Sequence, residues 1–221
     1  MQANLEKENA ALEAVKLVRQ DMTVGLGTGS TAEYAIHAIG RMVREGLRIK
    51  AVATSARTAA LAAQYAIPLM AINEVEMIDL TIDGADEFTA NLTLLKGGGG
   101  ALLKEKIVAV KSRQVVIIAD ASKYVERLGK FRLPVEVIPD AANYVLRELT
   151  GKGAVRMQEG KPFVTDEGHH IIDVDFGLIA DPHRIDTQLN NIVGVVEHGL
   201  FIGIASRVIM GVGEEVKIFN G

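Results

Sequence analysis

Cysteine is absent from the 221 residues, which excludes disulfide staples and thiolate nucleophiles and permits a reducing compartment. No apolar run approaches the roughly 20 residues of a membrane span. The N-terminal stretch MQANLEKENAALEAVKLV is charged and helically periodic, without the basic flank and unbroken apolar core of a secretory signal. A soluble, cytoplasmic protein that does not engage membranes is therefore expected. No dense basic run occurs and the net charge is −4, which argues against nucleic-acid binding. Metal-ligand spacing is missing too. His37, His169, His170, His183 and His198 are scattered, and adjacent His169 and His170 would point to opposite sides of a strand. Repeats, low-complexity segments and linkers are also lacking.

The composition is that of a globular protein, 48% hydrophobic and 24% charged, and the length suffices for a real core. Helical patterns alternate with short β-rich runs. Helices are expected at 5–19 (with Leu5, Leu12, Val15 and Val18 facing inward), at 30–46 (with Ser30 or Thr31 as cap), at 58–66 and at 101–112. Strands are expected at 23–27, 49–55, 77–85 and 114–120. The last of these, QVVIIAD, is almost wholly branched and apolar, as suits a parallel sheet buried on both faces. This alternation predicts an α/β protein with a doubly wound, mainly parallel Rossmann-like sheet. After about residue 130 the order changes: a strand at 133–139, a helix at 140–151, strands or hairpin arms through 153–176, a helix at 181–192 and a strand at 193–199. That order predicts a smaller ferredoxin-like α+β domain. The expected division is 1–130 plus 205–221 for the first layer and 131–204 for a lid or oligomerisation domain. The tail has strand and helix character and rejoins the first layer.

Ligands of open parallel sheets bind beyond the carboxyl ends of the strands. Three stretches fall there: GLGTGST (25–31), TSART (54–58) and DGADE (83–87), with KGGGG (96–100) just after. The first exposes backbone N–H groups at a helix start, an anion site most simply suited to phosphate. It lacks the G-K-[ST] ending of a nucleotide P-loop, and its G-x-G-x-G spacing is not the dinucleotide fingerprint. In TSART, a helix cap is the simpler reading of each hydroxyl. Asp83 and Asp86 flank Gly84; an Asp-Gly turn with solvated acids is the simpler reading there, weakened by the preceding apolar strand. Four consecutive glycines outside a linker are unusual, and amides at a helix start can hold negative charge developing on an oxygen. Glu105, Lys104 and Lys106 all lie about one turn into the following helix, and the pattern does not choose among them. A phosphate cradle, paired acids, a lysine and an amide-lined pocket together suit acid–base chemistry on a phosphorylated polyol.

The stretches GLGTGSTA (25–32), TS (54–55), TIDGADE (81–87), LLKGGGGALLKEK (94–106), ADASK (119–123), LPVEV (133–137) and GVVEHGLF (194–201) resemble the type A ribose-5-phosphate isomerases. The resemblance spans most of the chain. It implies cofactor-free, metal-free interconversion of ribose 5-phosphate and ribulose 5-phosphate through an enediolate, within the pentose phosphate pathway. By the same resemblance, Thr28, Gly29, Ser30 and Thr31 line the phosphate end, with Lys7 and Lys123 as cationic partners. Asp83, Asp86 and Lys96 serve ring opening and hydroxyl contacts, and Gly84 and Ala85 touch substrate. The amides of Gly97, Gly98 and Gly99 hold the enediolate oxygen, and Glu105 is the base. A homodimer, in some members a tetramer, is expected. The chain departs from the family pattern at TDEGHH (165–170), Val193 and His198, changes expected to touch the small domain rather than the catalytic loops. An enzyme acting on an amino-sugar phosphate would need a further histidine near the glycine loop. A non-catalytic sugar-phosphate sensor should have lost Asp83, Lys96 or Glu105.

Overall fold

Glycines stand where two strands of this chain give way to loops, Gly27 after Thr23–Leu26 and Gly84 at the end of Leu80–Gly84. The structure, a computed structural model, describes residues 2–149 and 152–221. Its first half runs α1 (Gln2–Val15), β1 (Thr23–Leu26), α2 (Ser30–Arg44), β2 (Lys50–Ala53), α3 (Ala56–Gln64), β3 (Leu80–Gly84), β4 (Glu87–Phe88), β5 (Leu94–Leu95), α4 (Leu102–Val110) and β6 (Val115–Asp120). Then follow β7 (Leu133–Val137), α5 (Ala142–Glu148), β8 (Gly153–Val155), β9 (Met157–Gln158), β10 (Lys161–Pro162) and β11 (His170–Val174). The chain finishes with α6 (Pro182–Asn190), β12 (Val195–His198), β13 (Leu200–Phe201), β14 (Arg207–Val212) and β15 (Glu215–Asn220). The helix expected at 140–151 ends beyond the described residues; its described part is α5, entered through a short 3₁₀ turn at Pro139–Ala141.

The main sheet has the order β15-β14-β6-β3-β1-β2. Every neighbouring pair is parallel except β14–β15, an antiparallel hairpin. All of β6 is buried, as its unbroken apolar run predicts. The order turns back between β1 and β3, and that switch point opens a crevice at the carboxyl ends of the strands. A second sheet, β12-β7-β11-β8, is antiparallel throughout. With α5 and α6 inserted it reads βαββαβ, the ferredoxin-like order. Leu133, Val135 and Val137 of β7 pack with Val145 of α5 and Leu189 of α6 on one face. Glu136 lies on the other. A small sheet, β13-β5-β4, carries the chain into the glycine loop.

Three expectations are corrected. In α1, Leu5 and Leu12 are 41% and 40% exposed, while Ala10, Ala11 and Ala14 are fully buried. The small side chains let the helix lie close to its neighbours, so the alanine face wins over the leucine face. The tail forms no helix; it supplies β14 and β15, whose alternating Val, Ile and Met complete the sheet. At α2, neither Ser30 nor Thr31 caps the helix. Gly29 occupies the cap position at φ 116°, a conformation open to glycine.

Candidate active site

Four loops leave the carboxyl edge of the main sheet side by side. The turn after β1 is tied to β3 because Asp83 Oδ1 accepts from the Thr28 amide at 3.1 Å and from the Gly84 amide at 2.7 Å. Side chains are excluded at Gly27, where a Cβ would lie 2.5 Å from the Asp83 Cα. The Thr28 hydroxyl sits among those of Thr54, Ser55 and Thr58 at 2.7, 2.8 and 3.1 Å. Ser55 also caps α3 by accepting from the Thr58 amide. The hydroxyls of 54–58 thus both start a helix and hold the phosphate-type loop from behind.

At the centre lies a buried triad of charges. Lys96 Nζ is 3.1 Å from Asp83 Oδ2 and 3.2 Å from Glu105 Oε2, and it donates to the Gly84 carbonyl at 2.5 Å. All three side chains are at most 4% exposed. The Lys96–Glu105 contact is close but not aligned as a hydrogen bond, so Glu105 Oε2 has no hydrogen-bond partner among the described residues. Burial opposes the charge on Lys96, but Asp83 and then Glu105 outweigh it and hold the ammonium above the ordinary lysine range. Burial pushes Glu105 up to about 8, with Lys96 pulling the other way and Asp83 adding to the rise. The Phe201 ring, from β13, lies 5.4 Å from Lys96 Nζ and helps to wall off water.

The helix turns the three candidates of its first turn apart. Glu105 faces the triad, Lys104 pairs with Glu167 at 3.2 Å, and Lys106 reaches Glu197 and the His198 carbonyl on the far side. The glycine loop is shaped by positive φ at Gly97 (104°) and Gly100 (79°). Asp86 Oδ2 accepts from the Gly98 amide at 2.7 Å, so that amide is already engaged. No acceptor meets the Gly97 or Gly99 amide among the described residues.

The cleft above the triad is lined by Thr28, Gly29, Ser30 and Thr31 from one loop and by Gly84, Ala85 and Asp86 from the next. Lys96, Gly97, Gly99, Glu105 and Lys123 complete it. Asp83 sits beneath this lining, Gly98 faces outward, and Lys7 joins through its 3.0 Å bond to the Ser30 hydroxyl. A wider hollow of about 310 Å³ between α2 and α3 shares Gly29 with this rim. Its charged lining residues, Glu33 and Arg57, pair with each other, and His37 Nδ1 lies 2.7 Å from the Tyr65 hydroxyl. No group of three or more His, Asp or Glu among the described residues is arranged to hold a metal ion.

Two features escape the sequence pattern. Glu6 is 6% exposed; its carboxylate accepts from the Ala121 amide at 3.2 Å and the Gly213 amide at 3.0 Å. It thereby joins α1, which carries Lys7, to the short turn that carries Lys123. Arg156 reaches in from the second sheet to the carbonyls of Gly97 and Gly98. An acid near the N-terminus and an arginine between two short strands give no local signal. The 165–168 turn is also nearer the site than expected: Asp166 accepts from the Ala56 amide at the start of α3 at 2.7 Å, and Glu167 holds Lys104. Its departures from the family pattern therefore touch both halves of the molecule. His198 is fully buried, and burial first, then Lys106, pushes it down to about 3, so it stays neutral.

A doubly wound sheet with an anion loop and a buried acid–lysine–acid cluster at its switch point defines an α/β enzyme of the sugar-phosphate, acid–base class. The model of the family ribose 5-phosphate isomerase A (phosphoriboisomerase A) matches residues 50–215, and the chain belongs to that family. It is 50% identical over 225 aligned positions to the ribose-5-phosphate isomerase A of Ruegeria sp. (strain TM1040), covering 96% of this chain and 86% of the relative. A solved D-ribose-5-phosphate isomerase in complex with phospho-erythronic acid superposes with a TM-score of 0.97 at 39% identity, over 100% of both chains. The ribose 5-phosphate isomerase A of Methanocaldococcus jannaschii gives a TM-score of 0.92 at 42% identity, over 97% of this chain and 98% of the other.

Proposed function

We infer that this protein interconverts ribose 5-phosphate and ribulose 5-phosphate by proton transfer through an enediolate. The observation that carries the reading is Glu105: a buried carboxylate that lines the cleft beside Lys96 and is raised toward neutrality. A base titrating near the working pH is suited to taking a carbon-bound proton and returning it. Glu105 takes the proton from carbon 2 of the open-chain aldose and delivers it to carbon 1. The Gly97 and Gly99 amides receive the negative charge that develops on the sugar oxygen, while Gly98 keeps Asp86 in place. Lys96, Asp83 and Asp86 exchange protons with the ring and hydroxyl oxygens. Ser30, Thr31, Lys7 and Lys123 hold the phosphate at the start of α2.

In the same reading, residues 1–130 and 205–221 make the catalytic layer and 131–204 a lid or oligomerisation unit. The working form is a cytoplasmic homodimer, and light scattering should return about twice the 23.7 kDa chain mass. The direct test is incubation with ribose 5-phosphate in D₂O with a chelator present, followed by proton NMR. Ketopentose phosphate with deuterium at carbon 1 or 2 is the expected result. Bound but unchanged sugar phosphate would overturn the isomerase reading and favour a sensor.

A further inference from the structure

Four consecutive glycines have no side chains with which to fix their own peptide planes, yet an amide used as an oxygen trap must point one way. Each trans peptide is planar, so its C=O and N–H point in opposite directions. Whatever holds the carbonyl therefore aims the amide. The Gly97–Gly98 plane is held at both ends, with Gly98 N–H on Asp86 Oδ2 at 2.7 Å and Gly97 O on Arg156 Nη1 at 2.9 Å. The Gly98–Gly99 plane is held at its carbonyl alone, by the same Arg156 Nη1 at 3.2 Å. Its other end is the Gly99 N–H, which has no acceptor among the described residues and belongs to a residue lining the cleft.

Arg156 is itself fixed. Nε and Nη2 fork onto Asp173 Oδ2 and Oδ1 at 2.9 and 2.6 Å. Its backbone is pinned by Arg156 N on the Ile171 carbonyl at 2.7 Å and by Phe163 N on the Arg156 carbonyl at 2.8 Å. Asp173 stands on β11, in the middle of the antiparallel sheet, between β7 and β8. A planar guanidinium can serve a carboxylate with one edge and carbonyls with another, which a lysine cannot do. A cation on the carbonyl also polarises the peptide and strengthens its N–H as a donor.

We propose that Arg156, oriented by Asp173, is a positioning residue that aims the Gly99 amide at the oxygen on which charge develops. This rests on the isomerase reading of the cleft and adds which side chain sets its oxygen-binding pocket. Arg156 is not among the residues that line the cleft, so its role is exerted through the glycine loop.

The test compares the full chain with Arg156→Met and Arg156→Lys. The readouts are kcat and KM for ribose 5-phosphate, the Kd of inorganic phosphate and the inhibition constant of phospho-erythronic acid. The carboxylate of that acid presents charged oxygens where the sugar carbonyl would be. A misaimed donor should lower kcat of Arg156→Met about 10- to 100-fold and weaken phospho-erythronic acid about tenfold. KM and phosphate affinity should stay within about threefold. Arg156→Lys should recover part of kcat, because an ammonium can still reach one carbonyl. Asp173→Asn should lower kcat in the same direction by a smaller factor, and it supplies the answer if Arg156→Met does not fold. A kcat within about threefold of wild type in both Arg156→Met and Asp173→Asn would overturn the proposal. So would a parallel loss of kcat, KM and phosphate binding, the mark of a merely structural residue. If the wild-type chain fails to isomerise, the isomerase reading falls, and the phospho-erythronic acid affinity of wild type against Arg156→Met still decides the aiming role.

Discussion

At Glu105, burial and charge pull in opposite directions, and the outcome sets two expectations. Glu105→Gln should lower kcat by about 10²–10⁴-fold, the span of a lost general base, with phosphate affinity unchanged in a titration. The carboxylate works only when ionised, and burial places its pKa at about 8. So kcat/KM should rise with pH up to that region. Lys96→Met removes the cation that favours the ionised form, so the acid limb should move to higher pH in a pH–rate profile. Stability carries the opposite sign. Glu105 binds its proton more tightly when folded than an ordinary glutamate, which titrates near 4.5, so its contribution is full below that pH and is lost as pH rises through about 8. Glu105→Gln should therefore lose less stability than wild type between those limits, measured by urea unfolding at each end. Local pattern alone does not separate Glu105 from Lys104 and Lys106; the family resemblance does. The separation comes from helical rotation, which sends one to Lys96, one to Glu167 and one to Glu197.

Among the elements, the glycine loop shows most clearly what a pattern can and cannot say. Its need for exposed backbone is legible, because glycine side by side with acids and a helix start has few other uses. The engaged state of the Gly98 amide is not, because it depends on Asp86 reaching across from another loop. Alternating helix and strand, and the βαββαβ order after residue 130, are legible from periodicity and turn residues. The inward face of α1 is not: hydropathy favours Leu5 and Leu12, whereas close approach favours Ala10, Ala11 and Ala14. The loop also makes a prediction of its own. At Gly100, φ is 79° and an added Cβ would lie 2.4 Å from Phe163 Cζ. Gly100→Ala should cost about 1–3 kcal/mol from overpacking, plus the left-handed backbone penalty, read as a lower Tm. Gly29→Ala meets open space, so its cost comes from the backbone alone, which at φ 116° and ψ 170° lies in a region essentially restricted to glycine, and its Tm should fall too.

Across the whole molecule, contacts distant in sequence carry what local pattern misses. Asp166 accepts from the first amide of α3, 110 positions away, and Asp166→Ala should cost about 0.5–2 kcal/mol in urea unfolding, as a lost helix cap does. The last contact of this kind is between β6 and β14. Every residue of β6 is buried, and one of its two hydrogen-bonding edges is covered by β14 alone. Between them in the chain lies the whole antiparallel sheet. A chain emerging from the ribosome therefore presents the bare edge of VVIIAD for the time it takes to make some 90 further residues, 120 to 207. A chain halted at Ser206 would keep that edge for good, an apolar template for strand pairing with its neighbours. Such a chain should collect in the pellet rather than the supernatant, making the β14–β15 hairpin the step that removes this template for strand-to-strand aggregation.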